Sequence, residues 1–178
     1  MATSSTRWSR RAPGYSLIEI MFVIAIIALL AATAIPLFLT YQFRTRSAEA
    51  KINLGALRVL EHSYFAVHDQ FLDAAPEPPV IPGNSAAVFS PNAGFEALGF
   101  RPEGKVFFSY GVAVSADGAG YTADAAADID ADGFPQFWGF ASPDGAGALT
   151  PGQVGCNVAG LLAEQVGPCD PSYGKSVF

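Results

Sequence analysis

A chain of 178 residues has room for one domain of ordinary size and a short accessory segment. Ten basic and sixteen acidic side chains give a formal charge of −6, which argues against a nucleic-acid backbone as the principal partner. The composition is 51% hydrophobic, and much of that is gathered near the start, so a single soluble domain is expected from the remainder.

Residues 1–14 carry Arg7, Arg10 and Arg11 and no acid, which holds this end on the cytoplasmic side by the positive-inside bias. From Ile20 to Leu39 run 20 residues without a charge, with Thr33 the one polar side chain, and that is the length a helix needs to cross the roughly 30 Å hydrocarbon core of a bilayer. The chain beyond Leu39 then faces outward. At the entrance stands Glu19, and a carboxylate taken into a bilayer costs about 2.5–3.5 kcal/mol on insertion scales unless it finds a partner. A cut between Gly14 and Tyr15 would create an α-amino group four residues before Glu19, able to neutralise the carboxylate of a neighbouring copy.

A basic leader ending in glycine, followed by Tyr15-Ser16-Leu17-Ile18-Glu19 and an apolar run, resembles the class III signal of type IV pilins. The resemblance implies cleavage after Gly14 by a prepilin peptidase, N-methylation of Tyr15, and a role for Glu19 in adding subunits to a filament. Phenylalanine is more usual where Tyr15 stands; tyrosine keeps the aromatic ring and leaves the amine free. Pro36 removes the helical hydrogen bond to the carbonyl of Ala32, so the helix should kink or loosen there. Pilin-like sequences often carry a proline at that mature position, which implies a part for Pro36 in assembly. The competing reading is an ordinary secretory signal, whose cut would follow the apolar run near Ala31-Ala32-Thr33-Ala34.

Leu57, Leu60, Tyr64, Val67 and Phe71 recur at helical spacing, which predicts that the helix continues to about Asp69 with one stripe laid on a globular body. Lys51, Arg58, His62 and Asp69 fall on the opposite, solvated face. Arg44, Arg46 and Lys51 lie just past the bilayer, within reach of lipid phosphates or a neighbour's acids, the other reading being a merely solvated face. Residues 74–92 hold five prolines and read as a connecting loop, and residues 95–100 as a short helical turn. Strands are predicted at 105–115, 121–129 and 136–141, joined by turns at Asp117-Gly118-Ala119-Gly120 and Asp130-Ala131-Asp132-Gly133. In the first of them Val106, Phe108, Tyr110 and Val112 alternate with Phe107, Ser109 and Gly111, as a half-buried antiparallel strand requires.

The expected fold is therefore α+β: a long N-terminal helix packed on a three- to four-stranded antiparallel sheet, an architecture similar to the pilin head. Residues 98–105 also resemble pilins of the deltaproteobacterial kind. The domain plan is a cleaved leader at 1–14, the long helix at 15–70, and a globular head at 71–178. Losing the leader leaves seven basic side chains against sixteen acidic, a charge of −9. Cys156 and Cys169, an even and closely spaced pair on the outward side, read as one disulfide.

Asp128, Asp130 and Asp132, alternating before Gly133, form half of a calcium loop, with Asp124 or a C-terminal carbonyl as further ligands. The loop's twelfth place holds Gly139 instead of a bidentate acid, and the other reading is a hairpin turn whose aspartates cap backbone amides. No other cofactor is expected. His62 and His68 are six residues apart and no nucleophile elbow, zinc-binding helix or phosphate loop occurs, so an enzyme is not expected. The leading function is a structural subunit of a type IV pilus serving adhesion, twitching motility or DNA uptake. Its partners would be copies of itself, the prepilin peptidase, the inner-membrane assembly machinery and membrane lipid. The precursor is expected in the inner membrane with its head in the periplasm. The alternatives are a pseudopilin of a type II secretion system, whose major forms commonly hold calcium, and a membrane-anchored periplasmic binding domain.

Overall fold

The computed structural model describes residues 14–170, so the basic leader, apart from Gly14, lies outside the described residues. One helix, α1 (Leu17–His68), opens the chain and runs through both of its compact units, which divide between Leu39 and Thr40. In the first unit the helix is apolar apart from Glu19 and Thr33, and among the described residues little covers it. Of residues 17–39 all but Ala31 are exposed. This part of the helix is long and apolar enough to cross a membrane. Pro36 lies inside it, and the carbonyl of Ala32 lacks its usual helical donor there.

In the second unit α1 buries Ser47, Ala50, Leu54, Leu57 and Glu61, a 3,4,3,4 stripe that defines one helix face. The predicted stripe is thus displaced toward the N-terminus. Leu60 and Tyr64 are only partly covered, Val67 is 78% exposed, and Phe71 reaches the core from beyond the helix end. The displacement has a local cause: α1 stops at His68, and Asp69 adopts a left-handed φ of 57° that turns the chain back onto the body. The cations expected in open solvent instead border the packed face. The guanidiniums of Arg46 and Arg58 sit 4.8 and 5.0 Å from the ring centres of Phe107 and Phe140, and Lys51 Nζ sits 4.5 Å from that of Trp138.

After α1 come strand β1 (Ala74–Glu77), the short β2 (Ala87–Val88) and helix α2 (Ala93–Leu98). Asn92 starts α2 by accepting the amides of Gly94 and Phe95, and Gly99, at φ 74°, ends it. Then follow β3 (Lys105–Val106), β4 (Ser109–Val114), β5 (Tyr121–Ala127), β6 (Gln136–Ser142) and, after a single 3-10 turn, β7 (Gly167–Pro168). β4, β5 and β6 form the predicted antiparallel meander, with Val112 opposite Ala123 and Ala123 opposite Phe140. Edge strands β1 and β7 widen it to a five-stranded sheet in the order β1-β4-β5-β6-β7. The stretch predicted as one strand over 105–115 divides in two. The Phe107 amide donates to the Glu49 carboxylate of α1 at 3.0 and 3.2 Å instead of to a ladder, and β3 pairs with β2 in a separate two-stranded sheet.

The sheet is covered on both faces, which explains why all of β5 is buried. Tyr121, Ala123, Ala125 and Ala127 join the core formed with Leu54, Leu57 and Phe108. On the alternate face Ala141 belongs to a second, smaller core with Leu161 and the two cysteines.

Candidate functional site

The residues singled out at the start of the chain fall together on the first turn of α1. Ser16 precedes the helix and its hydroxyl accepts the Glu19 amide at 3.3 Å, as an N-cap residue does. A carboxylate in that first turn also lies at the favourable end of the helix dipole. Gly14 and Tyr15 come before the helix, Tyr15 is 79% exposed, and no heavy atom lies within 4 Å of where a Gly14 side chain would begin. The peptide bond between them therefore lies on an exposed stretch outside the helix, just ahead of an apolar run with a lone acid at its head.

The aspartates occupy the turn between β5 and β6. Ligand atoms of Asp128, Asp130 and Asp132 lie within 4.8 Å of one another. Two of the three are engaged with the backbone: Asp128 accepts the amides of Asp132 and Gly133, each at 3.1 Å, and Asp132 accepts that of Phe134 at 2.8 Å. These bonds hold a tight turn in which Ala131 and Gly133 have positive φ, 59° and 87°. Partial burial, and then the neighbouring Asp132 and Asp128 charges, raise the Asp130 carboxyl above its ordinary range. Asp124 does not join this group.

Asp124 is instead a buried anchor that the sequence reading missed. Its carboxylate accepts the amides of Gln153, Val154 and Cys156 at 3.1, 2.8 and 3.1 Å, pinning the loop that carries the first cysteine onto the sheet. Burial pushes the Asp124 carboxyl up to about 6 against the downward pull of those amides. Cys156 and Cys169 are joined by a disulfide with Cα atoms 5.3 Å apart. It rests directly on Gly139 of β6, where a Cβ would stand 2.8 Å from Cys156 Sγ. Two further acids on α1 also went unnoticed. Glu49 accepts the hydroxyl of buried Tyr110 at 2.9 Å as well as the Phe107 amide, and burial raises its carboxyl. Glu61 is fully buried, and burial pushes it to about 7. The signal for Asp124 was available: one carboxylate in the middle of a strand otherwise made of Tyr, Thr and Ala.

The model of the prokaryotic N-terminal methylation motif matches residues 9–35, the segment that contains Gly14, Tyr15 and Glu19. The chain is also 46% identical over 72 residues to the type IV major pilin protein PilA of Myxococcus xanthus (strain DK1622). By its N-terminal segment the chain resembles type IV pilins. The aligned part covers 40% of this chain and 33% of its relative, so the chain spans about a third of the length of the curated relative it matches. The fold is the α+β arrangement expected: a long helix, apolar in its first half and packed on the body in its second, followed by an antiparallel sheet.

Proposed function

We propose that this chain is a type IV pilin, inserted as a single-pass precursor in the inner membrane with its head in the periplasm, cleaved between Gly14 and Tyr15 by a prepilin peptidase, N-methylated at Tyr15, and polymerised into an extracellular type IV pilus. The observation that carries this reading is the pairing of an accessible Gly14–Tyr15 bond with a helix whose apolar surface over residues 17–39 is uncovered. About twenty exposed apolar residues cannot remain in water. They require lipid in the precursor and sister helices in the filament. Glu19 is then the polar mark of that interface, matched by the amine of a neighbouring subunit. Pro36, in the same segment, supplies a place where the helix can extend as a subunit leaves the membrane.

Replacing Glu19 with valine tests the assembly role. The variant should be cleaved and inserted, since the run becomes more apolar and the head is unchanged, yet processed monomer should accumulate in the membrane with few surface filaments. Abundant filaments from Glu19→Val would show that the carboxylate is not an assembly contact. A structural calcium ion held by Asp128, Asp130 and Asp132 is a separate proposal, supported by the convergence of the three carboxylates. It requires a rise in Tm on adding calcium that is absent in Asp130→Asn; equal melting with calcium and with chelator would leave the turn held by its amides alone.

A further inference from the structure

Glu61 is a charged residue type in the middle of an apolar face, and nothing in the assembly reading uses it. Its side chain is 0% exposed. One oxygen, Oε2, accepts the Leu72 amide at 3.1 Å, and the other, Oε1, has no hydrogen-bond partner. The bond to Leu72 joins others that tie the segment after α1 to the body: the Phe71 amide donates to the carbonyl of Gly118 at 3.1 Å, and at the far end of the segment the Asp73 carboxylate accepts from the Gln153 side chain at 2.7 Å and the Val114 amide at 3.4 Å. That segment leads straight into β1, the edge strand of the sheet.

The charges around Glu61 offer it no cation. On α1 itself, Arg58 lies over the Phe140 ring and 4.0 Å from Glu164 of the C-terminal loop, and His62 is edge-on to Phe71 and Tyr121. From the following segment comes Asp73, whose charge opposes that of Glu61. From β5 comes Tyr121, whose hydroxyl is likewise buried and without a partner, and which packs on Phe71 at 4.4 Å between ring centres. An ionised carboxylate here is a buried charge with an acid nearby and one oxygen bare. A protonated one keeps the Leu72 bond and carries no charge.

We propose that Glu61 is a proton-operated latch: protonated, it holds the segment from Asp69 to Asp73 closed over the end of α1, and ionised, it favours lifting of that segment so that water reaches the carboxylate. The sign follows from burial. A carboxyl raised from 4.5 to about 7 keeps its proton in the folded state after the unfolded chain has lost it, so stability is greatest at low pH and falls as pH rises through that interval. Asp124 and Glu49 shift in the same direction, so the wild-type trend is shared among them and only a comparison with a Glu61 variant isolates the latch.

The test is thermal melting of the full chain in detergent micelles at pH 5 and pH 8, for the wild type and for Glu61→Gln, which keeps the shape and the acceptor for Leu72 but cannot ionise. The variant should match the wild type at pH 5 within a few degrees and exceed it by about 5–10 °C at pH 8. Amide exchange of the unaltered protein is the second measurement, independent of whether the variant folds. Protection at Leu72 should fall between pH 5 and pH 8 relative to Ala123 in the sheet centre, after correction for intrinsic exchange. Equal melting differences at the two pH values, or unchanged relative protection at Leu72, would overturn the latch.

Discussion

Single carboxylates do opposite things in this molecule according to what faces them. Glu49 and Asp124 lie among backbone amides, and each uses its charge to hold a piece of chain that has no ladder of its own. Glu61 has one amide and a bare oxygen. Truncating Asp124 to alanine would leave the amides of Gln153, Val154 and Cys156 without their acceptor under the C-terminal loop. At about 1–3 kcal/mol for each buried donor left unpaired, Asp124→Ala should cost at least about 3 kcal/mol in chemical denaturation, with the loss concentrated in exchange protection of residues 152–156. A cost under about 1 kcal/mol would mean that water or the loop itself replaces the carboxylate. Glu49 and Glu61 were not legible as core residues, because sequence patterns count charge as exposure and their partners come from distant elements; Asp124 alone left a signal, as the one carboxylate of an alanine-rich strand.

At the scale of elements, the parts legible in the sequence were those with a long period and many repeats. The apolar run, the helix that carries it forward and the alternation through β4 each rest on many residues agreeing. Short edge strands rest on two to four residues, and β1 and β7 owe their existence to a free sheet edge beside them, which no local pattern encodes. The apolar stripe on α1 was misplaced for a related reason: where the helix ends decides which aromatic side chains come from it, and that was set by the turn at Asp69. The pairing of Cys156 with Cys169 was legible, but not the platform beneath it. Gly139→Ala tests that platform. The added methyl would stand 2.8 Å from Cys156 Sγ and 2.9 Å from Leu161 Cδ1, so the disulfide loop must move off β6. The variant should lose about 1–3 kcal/mol of stability by denaturant unfolding, and keep its disulfide by thiol titration. Unchanged stability would show that the second core yields freely.

The whole molecule combines two surfaces with different requirements. Its head is closed by a core on each side of the sheet, whereas residues 17–39 present apolar side chains that the chain itself does not cover. That imbalance, together with the exposed Gly14–Tyr15 bond just ahead of Glu19, is what the proposed assembly into a fibre rests on. It was readable from the sequence because membrane length and the placing of one acid are one-dimensional properties. The account stands most directly on the chemistry at Tyr15, and intact mass measurement of the mature protein from its native cell reads that chemistry. A chain beginning at Tyr15 and carrying one extra methyl group on its terminal amine is the predicted result; a chain still starting at Met1, or one cut after Ala34 with the apolar run removed, would contradict it.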